Sequence, residues 1–162
     1  MATTRVSLSP LAAHFPATAF AALGMSAVTQ RPIRSFDSGA TEEEAWWTFV
    51  APQGLSGALS AVIFWYCLAT SSTVAWSVYV EAVTPGDPED LDTTAVSWSS
   101  TNDSSADTVP GTAGYMTTTT VTLTNTESLA AGDYCRLRLQ RNTSLDGAAA
   151  DACVLAVEIR EA

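Results

Sequence analysis

Apolar residues in this chain recur at every second position, and almost nowhere at the 3, 4, 7 spacing of a helix, so the pattern predicts strands. They are expected over residues 33–37, 45–50, 58–69, 74–83, 95–98, 116–124, 134–141 and 152–160. Residues 58–69 are apolar on both faces and rich in aromatics, as suits a central strand covered on both sides. Within 74–83 the alternation sorts Val74, Trp76, Val78 and Val80 to one face and Ala75, Ser77, Tyr79 and Glu81 to the other. Over 134–141, Cys135, Leu137 and Leu139 point inward while Arg136, Arg138 and Gln140 point outward. Only residues 17–23 hint at a short helical piece.

The stretch Thr84-Pro85-Gly86-Asp87-Pro88-Glu89-Asp90 must be a loop, because its prolines and glycine cannot continue a ladder. About eight strands without crossover helices point to an all-β, antiparallel β-sandwich, with the jelly roll as the best match. The loop at 142–151 makes the last two strands an expected hairpin. Residues 1–30, which lack periodicity, are expected to form an extended N-terminal arm lying on a neighbouring molecule, with 31–162 as the sandwich domain. Phe15, Phe20 and Leu23 are its expected apolar anchors, and Arg31 and Arg34 supply charge.

A chain of 162 residues can bury one sizeable core. Its net charge of −10 is unevenly spread. The first 36 residues hold Arg5, Arg31 and Arg34 and no carboxylate, whereas the remainder sets four Arg against all 17 acids, a balance of −13. Nucleic acid is thereby disfavoured as a partner, since phosphates are neutralised by Lys and Arg and this chain has no Lys. A basic segment beside an acidic body instead suits docking on an acidic neighbour. The longest apolar run, 58–69, is too short for a membrane helix of roughly 20 residues, and residues 15–28 form no continuous signal-like core. Three cysteines, Cys67, Cys135 and Cys153, follow no metal-binding spacing and are expected to be free and buried.

Candidate chemistry is sparse. The single histidine, His14, sits between prolines 10 and 16 and reads as a surface or packing residue. Asp87, Glu89, Asp90 and Asp92 offer oxygen atoms to calcium but lack the spacing of a calcium loop and read as a solvated turn. Glu42-Glu43-Glu44 before Trp46-Trp47 resembles a sugar platform, yet the simpler expectation buries one tryptophan and leaves the other at a rim. Trp98 and Tyr115, near loops, are the aromatics expected to contact another molecule. Arg136 and Arg138 are expected to pair with a neighbouring strand's carboxylate such as Glu158. No cofactor, metal or catalytic residue is expected, and the chain reads as a non-enzyme.

Four phrases together resemble a family of small virion proteins encoded in the structural gene clusters of tailed phages. They are Phe15-Pro16-Ala17-Thr18 with Phe20-Ala21 and Leu23; Arg31-Pro32 leading to Phe36-Asp37; Ser128-Leu129-Ala130-Ala131-Gly132-Asp133 before Arg136-Leu137-Arg138; and Leu155-Ala156-Val157-Glu158-Ile159-Arg160-Glu161. The adjacent tryptophans and the late cysteines depart from that family's pattern. The resemblance implies a jelly-roll decoration protein, head fibre or tail-associated domain without separating these. Of them we expect a capsid decoration (cement) protein on the outer surface of a bacteriophage head, with the major capsid protein as partner and a homotrimeric assembly whose threefold packing covers the sandwich edges. The alternative it leaves open is a carbohydrate- or receptor-binding module of a tail or head fibre.

Overall fold

The computed structural model describes residues 3–39, 41–92 and 97–162. Its strands are β1 (Thr3–Leu8), β2 (Ala22–Met25), β3 (Pro32–Phe36), β4 (Glu44–Val50), β5 (Leu59–Cys67), β6 (Thr73–Val74), β7 (Trp76–Val83), β8 (Asn102–Asp103), β9 (Asp107–Thr108), β10 (Met116–Leu123), β11 (Tyr134–Arg141) and β12 (Ala152–Glu161). They form a larger sheet in the order β10-β5-β12-β3-β2, with β1 also on β12, and a smaller sheet in the order β4-β11-β7-β8. The short β6 and β9 pair with each other.

This order is a jelly roll. Antiparallel pairing of β3 with β12, β4 with β11, β5 with β10 and β7 with β8 makes a long ribbon. Rolling that ribbon up puts alternate pairs in opposite sheets. The inward faces follow the alternation read from the sequence. Leu59, Ala61, Ile63, Trp65 and Cys67 of β5 meet Trp76, Val78 and Val80 of β7 and Leu137 and Leu139 of β11 in one core. Trp76 stands edge-on to both Trp65 and Phe36 there.

The expected hairpin of the last two strands does not form. β11 lies between β4 and β7, while β12 pairs with β5, β3 and β1 in the other sheet. The intervening loop crosses the roughly 10 Å between packed sheets, and buried Arg141 fixes that crossing. Its guanidinium pairs with Asp146 and donates to the carbonyls of Phe36, Ala148 and Ala150. With β12 in the opposite sheet, Arg136 takes Glu81 of β7 as its carboxylate, and Glu158 pairs with Arg160 on its own strand.

The described residues of the expected arm are woven into the sandwich. β1 pairs with the C-terminal half of β12, and β2 forms a hairpin with β3. Between them, one 3-10 turn at Pro10–Ala12 leads the chain across to the smaller sheet. There residues 14–21 cover the free edge of β4. His14 and Trp46 exchange backbone hydrogen bonds of 2.8 and 3.2 Å, and Ala21 N and Glu44 N donate to Glu44 O and Ala19 O at 2.8 and 2.9 Å. These bonds replace the helical piece expected at 17–23, with Ala19 turning the chain at φ 53°. A free edge is a template for unwanted pairing, so the segment protects the edge it occupies. Ala95 and Val96 of the strand expected at 95–98 lie outside the described residues, and Ser97 and Trp98 belong to no strand.

Candidate interaction surfaces

The flank formed by residues 11–25 is held from below by Arg34. Its side chain is 1% exposed and meets no carboxylate. The guanidinium instead donates from Nε to Pro10 O at 2.9 Å, from Nη1 to Ala21 O at 3.5 Å and from Nη2 to Ala13 O. Trp47, buried in the core, adds a bond from Nε1 to Ser9 O at 2.8 Å. Arg34 thus serves the chain's own backbone, with no surface left for a partner. Above it the flank exposes Leu11, Phe15, Phe20, Leu23 and Met25, each 46–60% accessible. Phe15 and Phe20 meet edge-on at 5.2 Å, and the Arg34 guanidinium lies 4.4 Å from the Phe15 ring centre.

Trp98 lies on the outer face of the smaller sheet, where β4, β11 and β7 place Trp46, Arg138, Arg136, Tyr79 and Glu81 in adjacent rows. Trp46 and Trp98 pack at 5.3 Å and 63°, and His14 meets Trp46 edge-on. Arg136 is 5.7 Å from the Trp46 ring and 5.3 Å from Trp98; Arg138 is 3.6 Å from Tyr79 and 5.3 Å from Trp98. The charges are internally matched. Arg136 forms a bidentate pair with Glu81, which raises the Arg136 pKa, and Arg138 lies 3.5 Å from Glu44. Partial burial, with Arg136 and Arg34 nearby, holds the His14 imidazole below its ordinary pKa. The two tryptophans of the 46–47 pair thus divide between rim and core. The sequence signal for this stack was the outward alternation of Arg136 and Arg138, which did not show which rings would cover them.

Arg31 and Tyr115 sit elsewhere, Arg31 over the larger sheet and Tyr115 just before β10. Arg31 lines a groove of about 550 Å3 with Val28, Tyr66, Leu68, Met116 and Leu155. Tyr115 is exposed next to Met116. A second, polar cleft of about 370 Å3 lies over the β11–β12 loop, bounded by Ser38, Gly39, Thr143 and Asp146. Its Asp146 is already committed to Arg141.

No three His, Cys, Asp or Glu side chains among the described residues are placed to hold a metal ion. The three cysteines are free and buried. Desolvation pushes the Cys135 thiol up to about 12 and raises that of Cys153, which suppresses the nucleophilic thiolate at neutral pH. Glu43 accepts from Asp37 N–H at 2.7 Å, and burial raises its carboxyl above the ordinary value, with Asp37 and Asp151 adding to the rise. The exposed large apolar side chains gather mostly on the 11–25 flank and around the groove. No protein-family model matches the chain, and no curated protein matches it.

Proposed function

We propose that this chain is a capsid decoration protein of a tailed phage, binding the outside of the head and bridging major capsid subunits. The observation that carries this reading is the flank of Leu11, Phe15, Phe20, Leu23 and Met25. Five large apolar side chains stand half-exposed within residues 11–25, Phe15 and Phe20 in contact with each other, and exposed apolar groups of this kind are what protein partners cover. The jelly-roll framework and the phage-like sequence phrases agree with it. The flank is anchored rigidly by Arg34, so binding loses little conformational entropy. An acidic body suits a position outside a shell packed with DNA, and repeated equivalent sites turn modest contacts into firm attachment.

A side-chain-resolution map of the purified particle tests it. Density for this chain should cover the outer shell with the Phe15–Phe20 flank against capsid protein. Density only on tail fibres would overturn the proposal. One observation favours the fibre-module reading: Trp46 and Trp98 stand together beside polar side chains, as rings in a sugar site do. Glycan binding abolished by Trp98→Ala, with no attachment to heads, would establish that alternative.

A further inference from the structure

The groove on the larger sheet is apolar with one charge. Val28 at its mouth is 90% exposed, Leu68 and Met116 are mostly exposed, and Arg31 is the sole charged residue among those lining it. Among the described residues, Arg31 is also the one exposed arginine without a carboxylate. Arg5, Arg136, Arg138, Arg141 and Arg160 are in ion pairs and Arg34 is buried. The Arg31 side chain reaches only Thr29 Oγ1, at 2.9 Å. An occupant complementary to this groove carries an apolar side chain flanked by carboxylates.

The chain displays such a segment at its other end. The loop after β7 projects Leu91, 61% exposed, between Glu89 and Asp92. Neither of these two acids makes an ion-pair contact in the described structure, and the one charge that reaches Glu89 is that of Arg136, which is itself paired with Glu81. The two surfaces cannot meet within one molecule. The groove is at the end where Cys67, Ala152 and Phe36 align, whereas β7 runs away from that end, from Trp76 opposite Arg141 to Val83 opposite Tyr134.

We infer that Leu91 of one copy seats in the Val28–Met116 groove of the next, with Arg31 pairing to Glu89 and Asp92. The contact is head-to-tail, so it closes into a ring when the rotation per copy divides a full turn, and a third of a turn gives the homotrimer. The inference deepens the decoration reading and rests on it for its setting, because it names the contact that links copies on a shell.

Sedimentation of the full chain at tens of micromolar tests it. The wild type should exceed the 17.0 kDa of one chain. Arg31→Glu should raise the dissociation constant at least tenfold, as should Glu89→Arg with Asp92→Arg. The three changes combined in one chain should restore assembly, with tryptophan fluorescence confirming that each variant is folded. A monomeric wild type, assembly indifferent to Arg31→Glu, or a triple variant that stays dissociated would each overturn the contact. Binding to purified phage heads separates the two ideas. A wild-type monomer that coats heads, losing attachment on Arg31→Glu, would hand the groove to capsid protein and refute self-docking while leaving decoration standing. Charge-reversible oligomers that ignore heads would do the opposite.

Discussion

Replacing Arg34 with methionine keeps most of the side chain's apolar volume and removes the guanidinium that gathers Pro10 O, Ala13 O and Ala21 O. Hydrogen bonds from a charged donor are worth about 1.5–3 kcal/mol each. Leaving a buried acceptor without its donor costs about 1–3 kcal/mol. Here the carbonyls have an escape, since the flank can lift and hydrate them. The loss should therefore appear as local opening of residues 9–25 rather than as collapse of a domain whose whole stability is of order 5–15 kcal/mol. Hydrogen exchange reads this directly at the amides of His14, Ala21, Glu44 and Trp46, which make the bonds across the β4 edge. A penalty of about 3 kcal/mol corresponds to exchange more than 100-fold faster, at roughly 1.4 kcal/mol per decade. Arg34→Lys should fall between, because an ammonium keeps the charge but lacks the planar fork that spans three acceptors. Protection of those four amides within threefold of wild type would refute the clamp.

Three further outcomes follow from the same geometry. Titrating the unfolded protein without reductant should find three thiols, and the native protein should react slowly because all three are buried; recovery of a single thiol would reveal a disulfide. Trp98→Ala removes the ring next to both Arg136 and Arg138, and at about 0.5–1 kcal/mol per exposed cation–π contact should cost roughly 1–2 kcal/mol in urea unfolding; a change below about 0.3 kcal/mol would mean that the stack adds no stability. Glu161 accepts from the backbone N–H groups of Ser56 and Gly57 and pairs with Arg5, and its pKa is held below the usual carboxylate value. A depressed acid stabilises the fold above its unfolded pKa, about 4.3. That contribution disappears as pH falls through the folded value, so Glu161→Gln should flatten the acid side of the melting-temperature profile below about pH 4.

The eight jelly-roll strands were mostly legible because seven of them are runs of β-formers set off by turn signals, and β7 and β11 also alternate cleanly enough to assign both faces. Val74, Trp76, Val78 and Val80 are inward as read. The eighth, β8, is two residues long and too short for any periodic signal. β1 and β2 were hidden for a different reason. Both are edge strands with mostly exposed side chains, so no buried face imprints a pattern on them. The pairing of the last strands was the avoidable error, since a jelly roll puts them in opposite sheets and cannot coexist with a hairpin there. Among the contact residues, Phe15, Phe20 and Leu23 belong to one segment, and Arg31 lines a groove bordered by Gly114 and Met116, the neighbours of Tyr115. Trp98 stands apart on the smaller sheet. Arg34 looked equivalent to Arg31 because sequence displays charge without burial. Its role depends on carbonyls 13–24 residues away along the chain, which no local pattern marks.

The coverage of edges and the distribution of charge belong to one solution. Residues 14–21 shield β4, but among the described residues β10 at the far side of the larger sheet pairs only with β5. Its sequence, MTTTTVTL, has no charge or proline to discourage a second molecule, and Thr118, Thr120 and Thr122 are exposed. Such a strand would ordinarily invite pairing with its copies. The restraint must come from the rest of the surface. Five of the seven arginines are tied up in ion pairs and Arg34 is buried, so carboxylates dominate the outward field of a chain carrying −10. Two copies approaching at random repel each other. Attraction survives where an unpaired cation meets a carboxylate beside apolar surface, and Arg31 at its groove meets both conditions. General repulsion with one attractive point favours an oriented contact over edge-to-edge aggregation.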